Sequence, residues 1–321
     1  MKKLLKKDGL RQFFNGLTRK YAIIAPVKKK DIHVFEKVNS FDEIDLNFIN
    51  TAYPVKSFFL PVYQELFSFN GGKINVKTDN SKKVVFGIRP CDVNALLVID
   101  RIFLDEYEDP YYKARRNNTI IIALSCTEAG ENCFCESFGT NKLTKGFDLL
   151  LTKTKQGYVV ETGSEKGKQL VNSKLFSNTN IEPKIELKFK KHITENDLNK
   201  LKQNFENPIW EEEAKKCLSC TACTSTCPTC PCFFVRDETN LDLKSGKRYR
   251  YWASCQLKNF SKVAGDAFFR KERSKRLKHR IFHQLVYYKD KFNSQMCVGC
   301  GRCFTNCPTK INMVEILGKI K

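Results

Sequence analysis

An α/β domain followed by an all-helical domain is the fold class predicted here, on three observations. Strand-like apolar runs alternate with helical ones up to about residue 180. A polar stretch containing Pro183 and Pro208 then spans 181–210. From Trp210 helical periodicity returns, interrupted by two cysteine-rich runs. The expected division is an N-terminal α/β (or α+β) domain at 1–180, a linker with a connecting helix at 181–210, and a helical domain at 211–321.

In order along the chain, residues 1–20 place Leu4, Leu5, Phe13, Phe14 and Leu17 at helical spacing and read as one amphipathic helix. YAIIAPV (21–27) reads as a strand ended by Pro26, and KSFFLPVYQELFSF (56–69) as a second apolar segment. KVVFGIRP (83–90) and NTIIIALS (118–125) are continuously apolar, as strands buried on both faces are. CDVNALLVIDRIFL (91–104) between them has helical periodicity. FDLLLTKT (147–154) and GYVVETG (157–163) read as strands joined by a turn at Gln156-Gly157. In the helical domain a turn is expected at Ser245-Gly246, with helices over about 255–264 and 271–291.

The chemistry lies in CLSCTACTSTCPTCPC and CVGCGRCFTNCP. The first places Cys217, Cys220, Cys223 and Cys227 at gaps of two, two and three residues before Pro228, and the second repeats that frame with Cys297, Cys300, Cys303 and Cys307 before Pro308. A [4Fe–4S] cubane needs one thiolate per iron corner, and in two-cluster ferredoxins the fourth cysteine of each run ligates the other cluster. The expected sets are therefore Cys217, Cys220 and Cys223 with Cys307, and Cys297, Cys300 and Cys303 with Cys227. Zinc would use paired C-x2-C units and leave the remaining cysteines of each run unexplained. The C-terminal half is thus a ferredoxin-type dicluster domain. The 69 residues between the runs are too many for a compact ferredoxin and indicate the all-helical type.

Four more cysteines follow predicted strands: Cys91, Cys126, and the pair Cys133 and Cys135 in ENCFCES. Ligands gather at strand ends in α/β sheets, so these four are read as a third iron–sulfur cluster before zinc, against small buried hydrophobes as the alternative. Cys230, Cys232 and Cys255 stay unassigned: they either tune the first quartet by S–H hydrogen bonds or hold a further site.

With 321 residues the chain can bury two cores. Fifteen cysteines at cluster spacing point to a reducing compartment. Without a signal peptide or an apolar run near the roughly 20 residues that span a bilayer, the protein is expected to be soluble and cytoplasmic. A net charge of +21 favours anionic partners. The densest basic run, RKERSKRLKHR (270–280), is read first as a solvated helix face, second as a docking surface for an acidic redox partner, and third as a nucleic-acid contact. Neither a dinucleotide nor a P-loop signature is present, and His33, His192, His279 and His283 form no catalytic pattern. The expectation is a carrier of electrons that is not itself catalytic.

FGIRPCDVNAL, NCFCESFGTNK, CLSCTACTSTCPTCPC, YWASCQL and CVGCGRC together resemble the beta subunit of cytoplasmic sulfhydrogenases and equally the A subunit of anaerobic sulfite reductase, from about Tyr21 to Ile316. The resemblance implies an iron–sulfur subunit passing electrons between a flavin-containing NAD(P)H oxidoreductase subunit and a catalytic partner. That partner is a [NiFe] hydrogenase pair in one branch and a sirohaem sulfite reductase in the other. The basic charge and the short end after the second run depart from the resemblance; if other members dock partners with a longer tail, this one must use another surface.

Overall fold

The computed structural model describes residues 2–320. Twelve strands occur in chain order: β1 (Lys2–Lys6), β2 (Ala22–Lys29), β3 (Ile32–Val38), β4 (Tyr63–Asn70), β5 (Lys73–Val76), β6 (Lys83–Ile88), β7 (Thr119–Leu124), β8 (Leu149–Thr154), β9 (Gly157–Thr162), β10 (Phe176–Asn178), β11 (Phe233–Thr239) and β12 (Ser245–Trp252). Eight form one mixed sheet in the order β10-β1-β9-β8-β7-β6-β2-β3, with β2, β6, β7 and β8 parallel at its centre. The apolar alternation explains why both faces are covered. Val84, Phe86, Ile120 and Ile122 meet the helix Lys7–Thr18 through Phe13, Phe14 and Leu17, while Val85, Ile88, Ile121 and Ala123 meet the helix Pro90–Asp100 through Val93, Leu96 and Ile99.

Two expectations about local structure in the α/β part change. The N-terminal stretch is not one helix, because Lys2–Lys6 is a strand that fills the gap between β9 and β10 and buries Leu5; the helix starts at Lys7. Pro26 does not end its strand. β2 pairs with β6 only over Ala22–Ile24, so at Pro26 only β3 is a partner and the missing N–H breaks no central ladder.

The larger correction concerns the C-terminal half, which is not all-helical. β11 and β12 form a hairpin whose turn is at 240–244, closed by Asp242 accepting from the N–H groups of Lys244 and Ser245 at 2.9 Å, so Ser245-Gly246 already belongs to β12. β12 adds to β4, giving a second sheet in the order β11-β12-β4-β5. The physical reason is the open edge of β4, a row of unpaired backbone groups that another strand satisfies. Buried Arg250 of β12 clamps the join: it donates to Gln64 and pairs with Asp109. Residues 255–264 hold only short 3-10 turns, whereas the second expected helix is present as Arg273–Phe282, continued through one wide turn to Phe292. A helical core built from Leu198, Leu201, Trp210, Ile281, Leu285 and Leu317 supports the cysteine runs. Among the described residues no helix is long and apolar enough to cross a membrane.

Candidate iron–sulfur centres

The two cysteine runs share one backbone trace. Ser219 and Thr221 in the first run have φ of 53° and 67°, and Gly299 and Gly301 at the equivalent places in the second have 62° and 72°. These left-handed residues curl the chain so that the N–H of Ser219 donates to Cys217 Sγ and that of Gly299 to Cys297 Sγ, each at 3.4 Å. Hydrogen bonds to sulfur favour the thiolate that a cluster needs. A short helix follows in each run, Ala222–Ser225 and Arg302–Thr305, and the two pack on each other.

This packing interleaves the runs. One cavity is walled by Cys217, Cys220, Cys223, Cys303 and Cys307; a second is walled by Cys297, Cys300, Cys303 and Cys227. The fourth cysteine of each run thus lies against the first three of the other. Among the described residues no group of three metal-ligating side chains has the closeness a single ion requires.

Burial pushes the Cys223 and Cys300 thiols up to about 11 and Cys303 up to about 12. Cluster binding must therefore expel protons from these groups. Cys227 goes the other way, lowered first by a hydrogen bond from the Cys230 thiol, which is itself raised by it. Two cations stand beside these sulfurs. Arg280 lines both cavities, and buried Lys56 from the α/β part donates to the carbonyls of Cys227 at 2.8 Å and Cys230 at 2.9 Å with its ammonium over Trp252.

The α/β part brings two of its cysteines against the second run. Cys91 opens the helix after β6, Cys126 follows β7, and the chain turns at Phe134 into a 3-10 helix that begins with Cys135. The chain therefore leaves the extended conformation between Cys133 and Cys135. Cys91 and Cys135 pack against Val298 and Cys300 of the second run. Burial raises Cys135, and the neighbouring Cys133, Cys126 and Cys300 add to it, so the thiols share one neighbourhood. The loop is locked to the second run: Phe134 donates to Gly299 O at 2.8 Å, and Phe134 stacks on Phe304. A Cβ at Gly299 would lie 2.6 Å from the backbone of Cys135, and one at Gly301 2.2 Å from Asn132 O. The glycines of CVGCGRC are therefore required by this loop as well as by the turn; the first run, free of it, carries Ser219 and Thr221.

Comparison with known proteins agrees with the geometry. A family model described as a 4Fe-4S dicluster domain matches residues 216–311. Sulfhydrogenase 2 subunit beta of Pyrococcus furiosus is 34% identical over 325 residues, covering 97% of this chain and 95% of that protein. The chain belongs to the sulfhydrogenase beta-subunit family. No solved structure matches it.

In this family member the three unassigned cysteines lie near Cys227. The hairpin base brings them in: Ala253 N–H donates to Cys232 O at 2.9 Å, Cys255 lies two residues further on, and Gln284 and Gln256 donate to Cys230 Sγ and Cys255 Sγ at 3.6 and 3.7 Å. The basic run is a solvated face only in part. Lys271, Arg273 and Lys275 are exposed, but Arg276, Lys278 and Arg280 are buried. Arg276 uses its donors on the carbonyls of Gln256, Arg270 and Lys271, and Lys278 meets Glu206. His279 and His283 stack on each other and join no metal-ligating group. Sequence reasoning also missed the ion pair of Arg302 with Asp92, both fully buried, although an arginine between two cluster cysteines was a signal.

Proposed function

We propose that this chain is a non-catalytic electron-transfer subunit, relaying electrons between a flavin-containing NAD(P)H oxidoreductase subunit and a [NiFe] hydrogenase module through two [4Fe–4S] cubanes. The ligands are Cys217, Cys220, Cys223 and Cys307 for one, and Cys297, Cys300, Cys303 and Cys227 for the other. The interleaving of the two cavities carries this reading, since each gathers its four proposed ligands only when both runs contribute. A cubane of this kind takes up and releases electrons at a potential set by charge, hydrogen bonds and exposure. The chain supplies the thiolates, the N–H groups aimed at them and the packing that keeps water away.

Cys91, Cys126, Cys133 and Cys135 are assigned to a third cluster, of iron and sulfide in preference to zinc. Its contact with Cys300 supports a row of three centres, ending where Leu218 is 62% exposed and Cys220 reaches solvent. Arg273, exposed there, donates to Cys217 O, and with Lys271 and Lys275 it suits an acidic redox partner. In this reading the units 1–180 and 211–321 are the two ends of the electron path, and the complex works in the cytoplasm, where thiols stay reduced.

The complex isolated through this chain from its own cells tests the partners. Nickel and flavin without sirohaem are expected; sirohaem without nickel would replace the hydrogenase by a sulfite reductase. Iron analysis tests the third centre. About twelve irons per chain, falling to about eight in a Cys91→Ala/Cys126→Ala variant, are expected. About eight in the unaltered chain removes the third cluster, and one zinc in addition would keep the site but take it off the electron path.

A further inference from the structure

Among the described residues four of the eight buried cations meet a carboxylate: Arg302 has Asp92, Arg250 has Asp109, Lys278 has Glu206 and Arg115 has Asp79. Arg280 does not. It is 5% exposed, lines both cluster cavities, and makes one hydrogen bond, to Cys223 O at 2.8 Å. Its Nε–H is buried without a partner. The helix Arg273–Phe282 holds it there, with Leu277 and Ile281 of the same helix in the wall of the first cavity. A buried charge with one carbonyl for company is costly, and its charge is favoured by the neighbouring sulfurs of Cys223, Cys303, Cys230 and Cys227. Those sulfurs come from both runs.

We propose that Arg280 is the counter-ion shared by the two cubanes, with its guanidinium between them, and that it raises the reduction potential of both. This rests on the two-cubane reading above. A four-thiolate cubane is anionic and becomes more so when it takes up an electron. A fixed cation in the low-dielectric space between the clusters therefore stabilises each reduced form more than each oxidised form. The buried Nε–H has no partner in the chain; donated to cluster sulfur, it would act in the same direction. Arg280 is a positioning residue in this scheme: it moves no proton and carries no electron.

Potentiometric titration followed by paramagnetic resonance, on the full anaerobically purified chain and its Arg280→Gln, Arg280→Met and Arg280→Lys variants, tests this. With iron content at the unaltered level, Gln and Met should each disfavour reduction of both clusters by at least tenfold, a fall of about 59 mV in each one-electron potential. Lys, which keeps the charge, should stay within that tenfold. A fully loaded Gln or Met variant with both potentials inside tenfold overturns the proposal, and so does a shift in one cluster alone. Should neither neutral variant hold its iron, Lys decides. Full loading with near-unaltered potentials supports a required cation, whereas failure of Lys to load means that shape rather than charge is needed and overturns it. An unaltered chain without two cubane signals would instead defeat the two-cubane reading.

Discussion

Replacing Asp92 by Asn should destabilise the junction between the α/β part and the second cysteine run more than any surface change. Asp92 and Arg302 have side chains 1% and 2% exposed and pair through two contacts of 2.6 Å. Arg302 also donates to Thr51 O at 2.8 Å and Thr51 Oγ1 at 3.0 Å, so the variant leaves its cation in place with neutral partners only. Removing one member of a buried pair costs about 3–5 kcal/mol; Coulomb attraction at about 4 Å with an effective dielectric of about 20 is about 4 kcal/mol, in agreement. At about 2 °C per kcal/mol for a chain of this size, the melting temperature should fall by about 6–10 °C. Thermal unfolding followed by circular dichroism, at one scan rate and equal iron content, measures it. An Asp92→Leu/Arg302→Met double variant, with no orphaned charge, should recover most of the loss. A single variant within about 2 °C of the unaltered chain would refute the reasoning, as would a double variant no better than the single one.

Glycine substitutions separate turn strain from loop contact. Gly139, at φ 66° with open space around it, should lose about 1 kcal/mol on conversion to Ala. Gly299→Ala, with its Cβ 2.6 Å from the backbone of Cys135, should lose at least about twice that and speed alkylation of Cys135 in the iron-free chain; denaturant midpoints and labelling rates compare them. Burial, with Arg270 and His283 nearby, depresses His279 to about 4, below the ordinary value of about 6.5. The unfolded chain then binds the proton first as pH falls, so stability drops from about pH 6.5 down to about 4. A His279→Phe variant should flatten that slope, and equal slopes would contradict it.

What the sequence disclosed follows the range of each signal. The cluster quartets are local, four cysteines within eleven residues, and the continuous apolar strands Val84–Ile88 and Ile120–Leu124 need no partner to be recognised. The hairpin β11–β12 was missed because most of β11 faces solvent, β12 is mostly half-buried, and their stabilising edge, β4, lies some 180 residues earlier. Arg280 was hidden for the opposite reason. Its basic neighbours are exposed, and only the packing of one helix between two cavities shows that this residue points inward. The closeness of Cys91 and Cys135 to Cys300 is likewise tertiary, though the glycines of CVGCGRC carried a trace of it.

The crossed ligand sets are the centre of the account, and grouping the single Cys→Ser variants by the cluster signal each one damages tests them most directly. Paramagnetic resonance of the reduced chain should group Cys227→Ser with Cys300→Ser, and Cys307→Ser with Cys220→Ser. Grouping of Cys227→Ser with Cys220→Ser would mean that each run closes its own site, and would contradict the interleaved geometry from which the rest is argued.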